Sequence, residues 1–180
     1  MRKMIKKLSI LLALFLLTSC FSGCTIAVAA ATVYLAGAEK KFSEEGMTIT
    51  LTELFAEAEF PGKTGYYLSP IMGVLTLKEE FSSDSVSSEW SLEGYTEQVI
   101  ARNNFDVSYE ISEDGYAFFE HEKTVSEVSY SYLTTCHKTE DSFWLIEFYT
   151  YTKAYNLLKN TMFTYASTIV FVTEIETEGL

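Results

Sequence analysis

Nine consecutive residues, Asp141-Ser142-Phe143-Trp144-Leu145-Ile146-Glu147-Phe148-Tyr149, narrow the folds open to this chain more than any other stretch. Short apolar runs rich in aromatic and β-branched residues, bounded by polar turn residues, form strands. Side chains alternate along a strand. Trp144, Ile146 and Phe148 therefore share one face, and Phe143, Leu145, Tyr149 and Tyr151 share the other with Glu147. One face is wholly apolar and the other mostly so. That pattern predicts a central strand covered on both sides. The run is short for a globular helix, and Thr139-Glu140-Asp141-Ser142 ahead of it is turn chemistry.

The other elements arrange themselves around this strand. Met47-Thr48-Ile49-Thr50-Leu51-Thr52 alternates strictly and predicts a first strand. Residues 39–46 are polar, and Glu53 to Phe60 predicts a short helical turn. Gly65 to Leu68 and Met72 to Leu77 predict a strand pair around Ser69-Pro70. Leu92 to Asn103 predicts a helix with Ser91 as N-cap and Asn103-Asn104 as its left-handed stop. Gly94 stands where a capping-box Glu belongs. Two long strands follow, at about 115–125 and 128–138, joined through Ser126-Glu127, an unfavoured hairpin dipeptide. Lys153 to Ser167 predicts a second helix with Ala154, Leu158, Met162 and Tyr165 on its buried stripe. Thr168 to Ile175 predicts a last strand. Runs of strands with two helices give an α+β fold: an antiparallel sheet of about six to seven strands carrying two main helices.

Composition bounds the function. The chain has 180 residues, 48% of them hydrophobic, which suits one domain with one core and excludes a disordered chain. Its net charge of −12 conceals a split, because Arg2, Lys3, Lys6 and Lys7 precede the first acid. Without them nine basic residues face 25 acidic ones, a net charge of −16. Such a surface repels phosphate backbones and excludes nucleic acid as a partner.

The basic start, the apolar run Leu8 to Leu17 and the small residues after it form a secretory signal. Leu17-Thr18-Ser19-Cys20 resembles the bacterial lipoprotein box, in which cleavage precedes a Cys that then carries diacylglycerol. Cys20 is the expected lipidation site. Cys24, after Ser22-Gly23, is the alternative. The expected organisation is a signal peptide at 1–19, an anchored tether at 20–41, a globular domain at 42–176 and a frayed tail at 177–180. Residues 25–38 remain apolar and are too few to cross a bilayer core of about 30 Å alone. Joined to Leu8–Leu17 they would make an uncleaved membrane helix. Both arrangements put the domain on the outer face of the cytoplasmic membrane, because basic residues ahead of an apolar stretch stay inside. Cys136, on the strand face of Val128, Tyr130 and Tyr132, is expected to be a buried, inert thiol.

The stretches Met47 to Thr52, Val74 to Ser82, Ser91 to Ile100, Phe118 to Val125 and Ser142 to Phe148, in that order, resemble uncharacterised bacterial exported proteins and lipoproteins with a PsbP-like, Mog-type α/β/α fold. The likeness covers about residues 42–172. It implies an antiparallel sheet with helices packed on it, and it implies almost nothing about activity, since one fold serves unrelated functions.

No catalytic motif or cofactor loop occurs. The best metal candidates, Glu120-His121-Glu122 and Cys136-His137, fail on distance. A turn at Ser126-Glu127 pairs His121 with Tyr132, five residues or roughly 17 Å from His137. Both histidines are expected to be solvated. Glu147 is expected at a wetter edge of its face or paired with a Lys, and if buried alone its pKa would rise. Tyr130, Tyr132, Tyr149 and Tyr151 can line a ligand groove, since Tyr offers apolar area and a hydroxyl. The functions these residues allow are a membrane-tethered, non-enzymatic module binding a protein or small ligand, a hydrolase using carboxylates near Glu147, and a structural envelope protein.

Overall fold

β-Pairing begins at Glu39. The computed structural model describes residues 37–83 and 86–172. The signal peptide, Cys20, Cys24, most of the expected tether and the tail lie outside the described residues. Two strands, β1 (Glu39–Glu44) and β2 (Met47–Thr52), form a hairpin whose register joins Phe42 to Ile49. Glu45 and Gly46 both have positive φ, at 46° and 88°, the backbone of a two-residue I′ turn. β1 thus starts inside the expected tether. It was hard to read because only Phe42 of its six residues is buried.

The next elements are β3 (Ala56–Glu57), β4 (Gly65–Leu68) and β5 (Gly73–Glu80). The helical turn expected over Glu53–Phe60 is instead a turn followed by β3, which pairs with the end of β4. After helix α1 (Leu92–Arg102) come β6 (Glu110–Ile111), β7 (Ala117–Val125), β8 (Val128–Lys138) and β9 (Ser142–Tyr151). Helix α2 (Thr152–Ala166) and β10 (Val170–Phe171) complete the described chain. Seven strands form one antiparallel sheet in the order β3-β4-β5-β9-β8-β7-β6, and β1-β2-β10 form a small second sheet. This is the expected α+β architecture.

β9, the strand read first from sequence, lies between β5 and β8. Trp144, Ile146 and Phe148 face α2 and the small sheet, and each is at most 1% exposed. Leu133, Leu158, Met162, Phe42, Ile49 and Tyr67 are among the other buried side chains of this layer. On the opposite face α1 packs on Phe143, Leu145, Cys136, Ala117 and Phe119 through Tyr95 and Val99. The Tyr95 and Phe143 rings stack at 4.2 Å with planes 3° apart. Ser91 caps α1 by accepting the Gly94 N–H, so the missing Glu leaves one half of the capping box in place. Asn104 ends the helix at φ 55°, as its type allows.

Candidate functional site: a cleft and a tyrosine ledge

α1 stops short. Its 11 residues reach about 16 Å at 1.5 Å each, whereas the 11 residues of β8 beneath it extend about 37 Å. Below Arg102 the sheet face carries no helix and no further strand among the described residues. The side chains there come from alternate positions of four strands. Register sets His121 beside Tyr132 and Tyr132 beside Tyr149, with Tyr130 beside Tyr151 one step lower.

These rings form a continuous ladder across the strands. Phe105, from the loop after α1, stacks on His121 at 4.1 Å, and His121 stacks on Tyr132 at 4.6 Å. Tyr132 stacks on Tyr149 at 5.5 Å, and the Tyr149 hydroxyl meets that of Tyr66 at 2.7 Å. Tyr130 stacks on Tyr151 at 5.3 Å. Gly73 makes this ladder possible. It sits opposite Tyr149, and a Cβ there would lie 2.3 Å from the Tyr149 ring. Tyr130, Tyr132 and Tyr149 are half-buried and Tyr151 stands 53% exposed at the end, so the four rings form one partly open ledge.

Between this ledge and the end of α1 lies a cleft of about 290 Å³, near the lower end of ligand-sized pockets. Leu145, Glu147, Thr134 and Leu77 are among its lining residues, as are Val99, Arg102, Phe105 and Lys63. Lys63 donates to Glu147 at 2.7 Å, and Arg102 sits 3.4 Å from Glu79, which also accepts from the Tyr95 hydroxyl. Glu147 therefore meets a lysine, one of the two environments its sequence context allowed. The Thr134 hydroxyl, 1% exposed as a residue, has no hydrogen-bond partner. Buried polar atoms are nearly always paired, so an orphan in the lining of a cleft marks a place for a ligand or water. Glu79 and Glu147 lie about 13 Å apart along the strands, four residues of register, and each has its own cation. That spacing does not suit two carboxylates acting on one bond.

Both histidines depart from expectation. His121 is buried, because Phe105 folds over it, and neither ring nitrogen has a partner. Its pKa is lowered by that burial, against an opposing pull from Glu147. His137 lies on the opposite face of the sheet, between Tyr116 at 5.1 Å and Phe171 at 5.2 Å. Its Nε2 is 3.0 Å from the Thr135 hydroxyl, and burial pushes its pKa down to about 4. The sheet itself thus separates the two rings. Among the described residues no three His, Cys, Asp or Glu side chains gather as a metal set. Burial raises the pKa of Tyr132 and Tyr149, with Glu147 adding to the first and the Tyr66 hydroxyl to the second. Those two rings are therefore neutral at physiological pH.

A larger hollow of about 750 Å³ lies across β4, lined by Glu44, Glu57, Glu59 and Lys63. The sequence pattern pointed to the tyrosines and Glu147 but missed Thr134, Phe105 and Lys63. Thr134 was open to detection, since strand alternation sets it beside Tyr132 and Cys136.

No protein-family model matches the sequence, and no curated protein matches it. Solved structures do resemble it. The solution structure of cyanobacterial PsbP (CyanoP) from Synechocystis superposes with a TM-score of 0.47 at 10% identity, over 74% of this chain and 92% of that one. A crystal structure from Bacteroides thetaiotaomicron gives a TM-score of 0.53 at 14% identity, over 76% of this chain. The chain spans 50% of the Bacteroides protein's length, and the likeness is one of fold.

Proposed function

We propose that this chain is a membrane-tethered binding module on the outer face of the cytoplasmic membrane, with the cleft beside the tyrosine ledge as its ligand site. The ligand is a small polar molecule or a short peptide segment, and the module performs no chemistry on it. The observation that carries this reading is the orphan Thr134 hydroxyl lining a cleft whose charged residues are already paired. Such a site favours a polar, overall neutral guest that adds hydrogen bonds without breaking the pairs, since an unpaired charge brought into it would lose solvation. Tethering rests on the leader and on Cys20, with Cys24 as the alternative. Among the described residues no helix is long and apolar enough to cross a membrane.

Titration of amino acids, short peptides and monosaccharides into isotope-labelled protein tests the site. Amide shifts centred on Thr134, Glu147 and Phe105 support it. Shifts confined to the acidic hollow by Glu57, or none at all, overturn it. Intact mass of the membrane-extracted chain and of Cys20→Ala tests the tether. Mass for a chain starting at Cys20 plus diacylglycerol, lost in the variant, supports lipidation. Full-length mass in both overturns lipidation and makes Leu8–Ala38 a membrane helix.

A further inference from the structure

The exposed apolar side chains cluster at one end of the large sheet. Leu68 closes β4 at 42% exposure and Tyr151 closes β9 at 53%. Val125 and Val128 face each other at the tip of the β7–β8 hairpin, at 46% and 38%. Register puts all four on the face of the tyrosine ledge, with half-buried Tyr130 between Tyr151 and Lys123. From β4 to β7 this rim is four strand spacings wide, about 19 Å. Lys123 stands exposed opposite Tyr130, and Lys153 stands exposed two residues after Tyr151, in the first turn of α2.

The chain enters the domain toward the same end. The β1–β2 turn at Gly46 shares a hollow with Lys78, Thr139 and Asp141, beside the β8–β9 turn at the opposite end of the sheet. Ala38 enters at the other end of that hairpin, where its carbonyl accepts the Glu53 N–H at 2.8 Å. Three residues beyond Glu53, at most about 11 Å of chain, Ala56 pairs with Leu68 in the rim.

We infer that this rim rests in the headgroup layer of the membrane that holds the N-terminus. The inference rests on the tether but not on its kind, since a lipid at Cys20 and an uncleaved helix both hand over to the domain at Ala38. The chemistry fits a bilayer interface. Tyrosine is enriched at headgroup level, where its ring is apolar and its hydroxyl wet. Lysines beside the rings can reach phosphate while their stems lie along apolar surface. Glu127 at the hairpin tip sets the depth, because its carboxylate holds the tip in the headgroups and out of the acyl core. Seated this way, the tyrosine ledge stands above the membrane with its lower edge in contact, and the cleft opens higher up, toward the envelope.

The test is fluorescence of full-length protein reconstituted into vesicles with brominated or plain acyl chains. The native chain is the baseline: Trp144 is 1% exposed, and Trp90 lies beside Lys138 at the far end. Tyr151→Trp adds a reporter on the rim. The expected result is a roughly twofold loss of the added emission in brominated vesicles, as for a ring within about 10 Å of the acyl boundary, with the native signal unchanged. Equal emission of Tyr151→Trp in both vesicle types, with the protein still sedimenting with the vesicles, overturns the rim and leaves the tether standing. Protein left in the supernatant overturns both. A blue-shifted Tyr151→Trp emission that grows with protein concentration without vesicles assigns the rim to a second copy of the chain and overturns the membrane contact.

Discussion

Trp144, Ile146 and Phe148 point into the layer made by α2 and the small sheet, and each is at most 1% exposed. One residue along, Leu145, Glu147, Tyr149 and Tyr151 start beneath α1 and run out from under it, ending at 53% exposure. Both faces of β9 are rich in large apolar side chains. They differ in the length of what lies over them. α2 runs 15 residues and is joined by three further strands, while α1 reaches less than half of β8. Where cover ends, aliphatic and Phe side chains give way to Tyr, whose hydroxyl makes an open aromatic surface soluble. One face holds the domain together, and the other has surface left for an encounter.

Substitutions separate the two faces by size of effect. Trp144→Ala removes the largest side chain of the covered face and should cost about 3–5 kcal/mol in a denaturant titration. Acid should act through the same face. The folded His137 ring resists protonation down to a pKa of about 4, while the unfolded chain takes up the proton near 6.5. Stability is therefore fully present above pH 6.5 and is lost as pH falls toward 4, by up to about 3 kcal/mol. Melting curves across that window check it, and His137→Gln should flatten the profile. Gly73→Ala acts on the open face, where the new methyl displaces the Tyr149 ring. A cost of about 2 kcal/mol is expected, with loss of the Tyr66–Tyr149 hydroxyl contact seen in tyrosine ring resonances. Glu127→Gly should stabilise by about 1 kcal/mol, because φ 68° strains a non-glycine residue. Tyr151→Gln, at the uncovered end and with no better capping of α2 than tyrosine gives, should change stability by no more than about 0.5 kcal/mol, and a large loss there would erase the distinction between the faces.

Strand alternation made β9, the β7–β8 hairpin and the four-tyrosine face legible, because large apolar side chains at period two leave few options. It also paired His121 with Tyr132 correctly. It did not reveal that His121 is buried and His137 half-buried. Phe105 covers His121 from a loop with no period of its own, and Phe171 reaches His137 from a two-residue strand. β1 escaped for a related reason: an edge strand that buries one side chain in six leaves almost no hydrophobic pattern to read. The cleft depends on where α1 ends in space. Ser91 and Asn104 mark that helix in the sequence, but its place over the sheet is set by packing of Tyr95 on Phe143.

Cys136 is fully buried between β8 and α1, and burial pushes its thiol up to about 12. Thiolate is the reactive form, so a labelling reagent finds almost nothing to attack while the helix stays docked. The residue is therefore a clock placed inside the protein. Under conditions where closing outpaces labelling, its modification rate measures the fraction of time the α1 layer stands open, and any guest held in the cleft would lower that fraction in proportion to its grip.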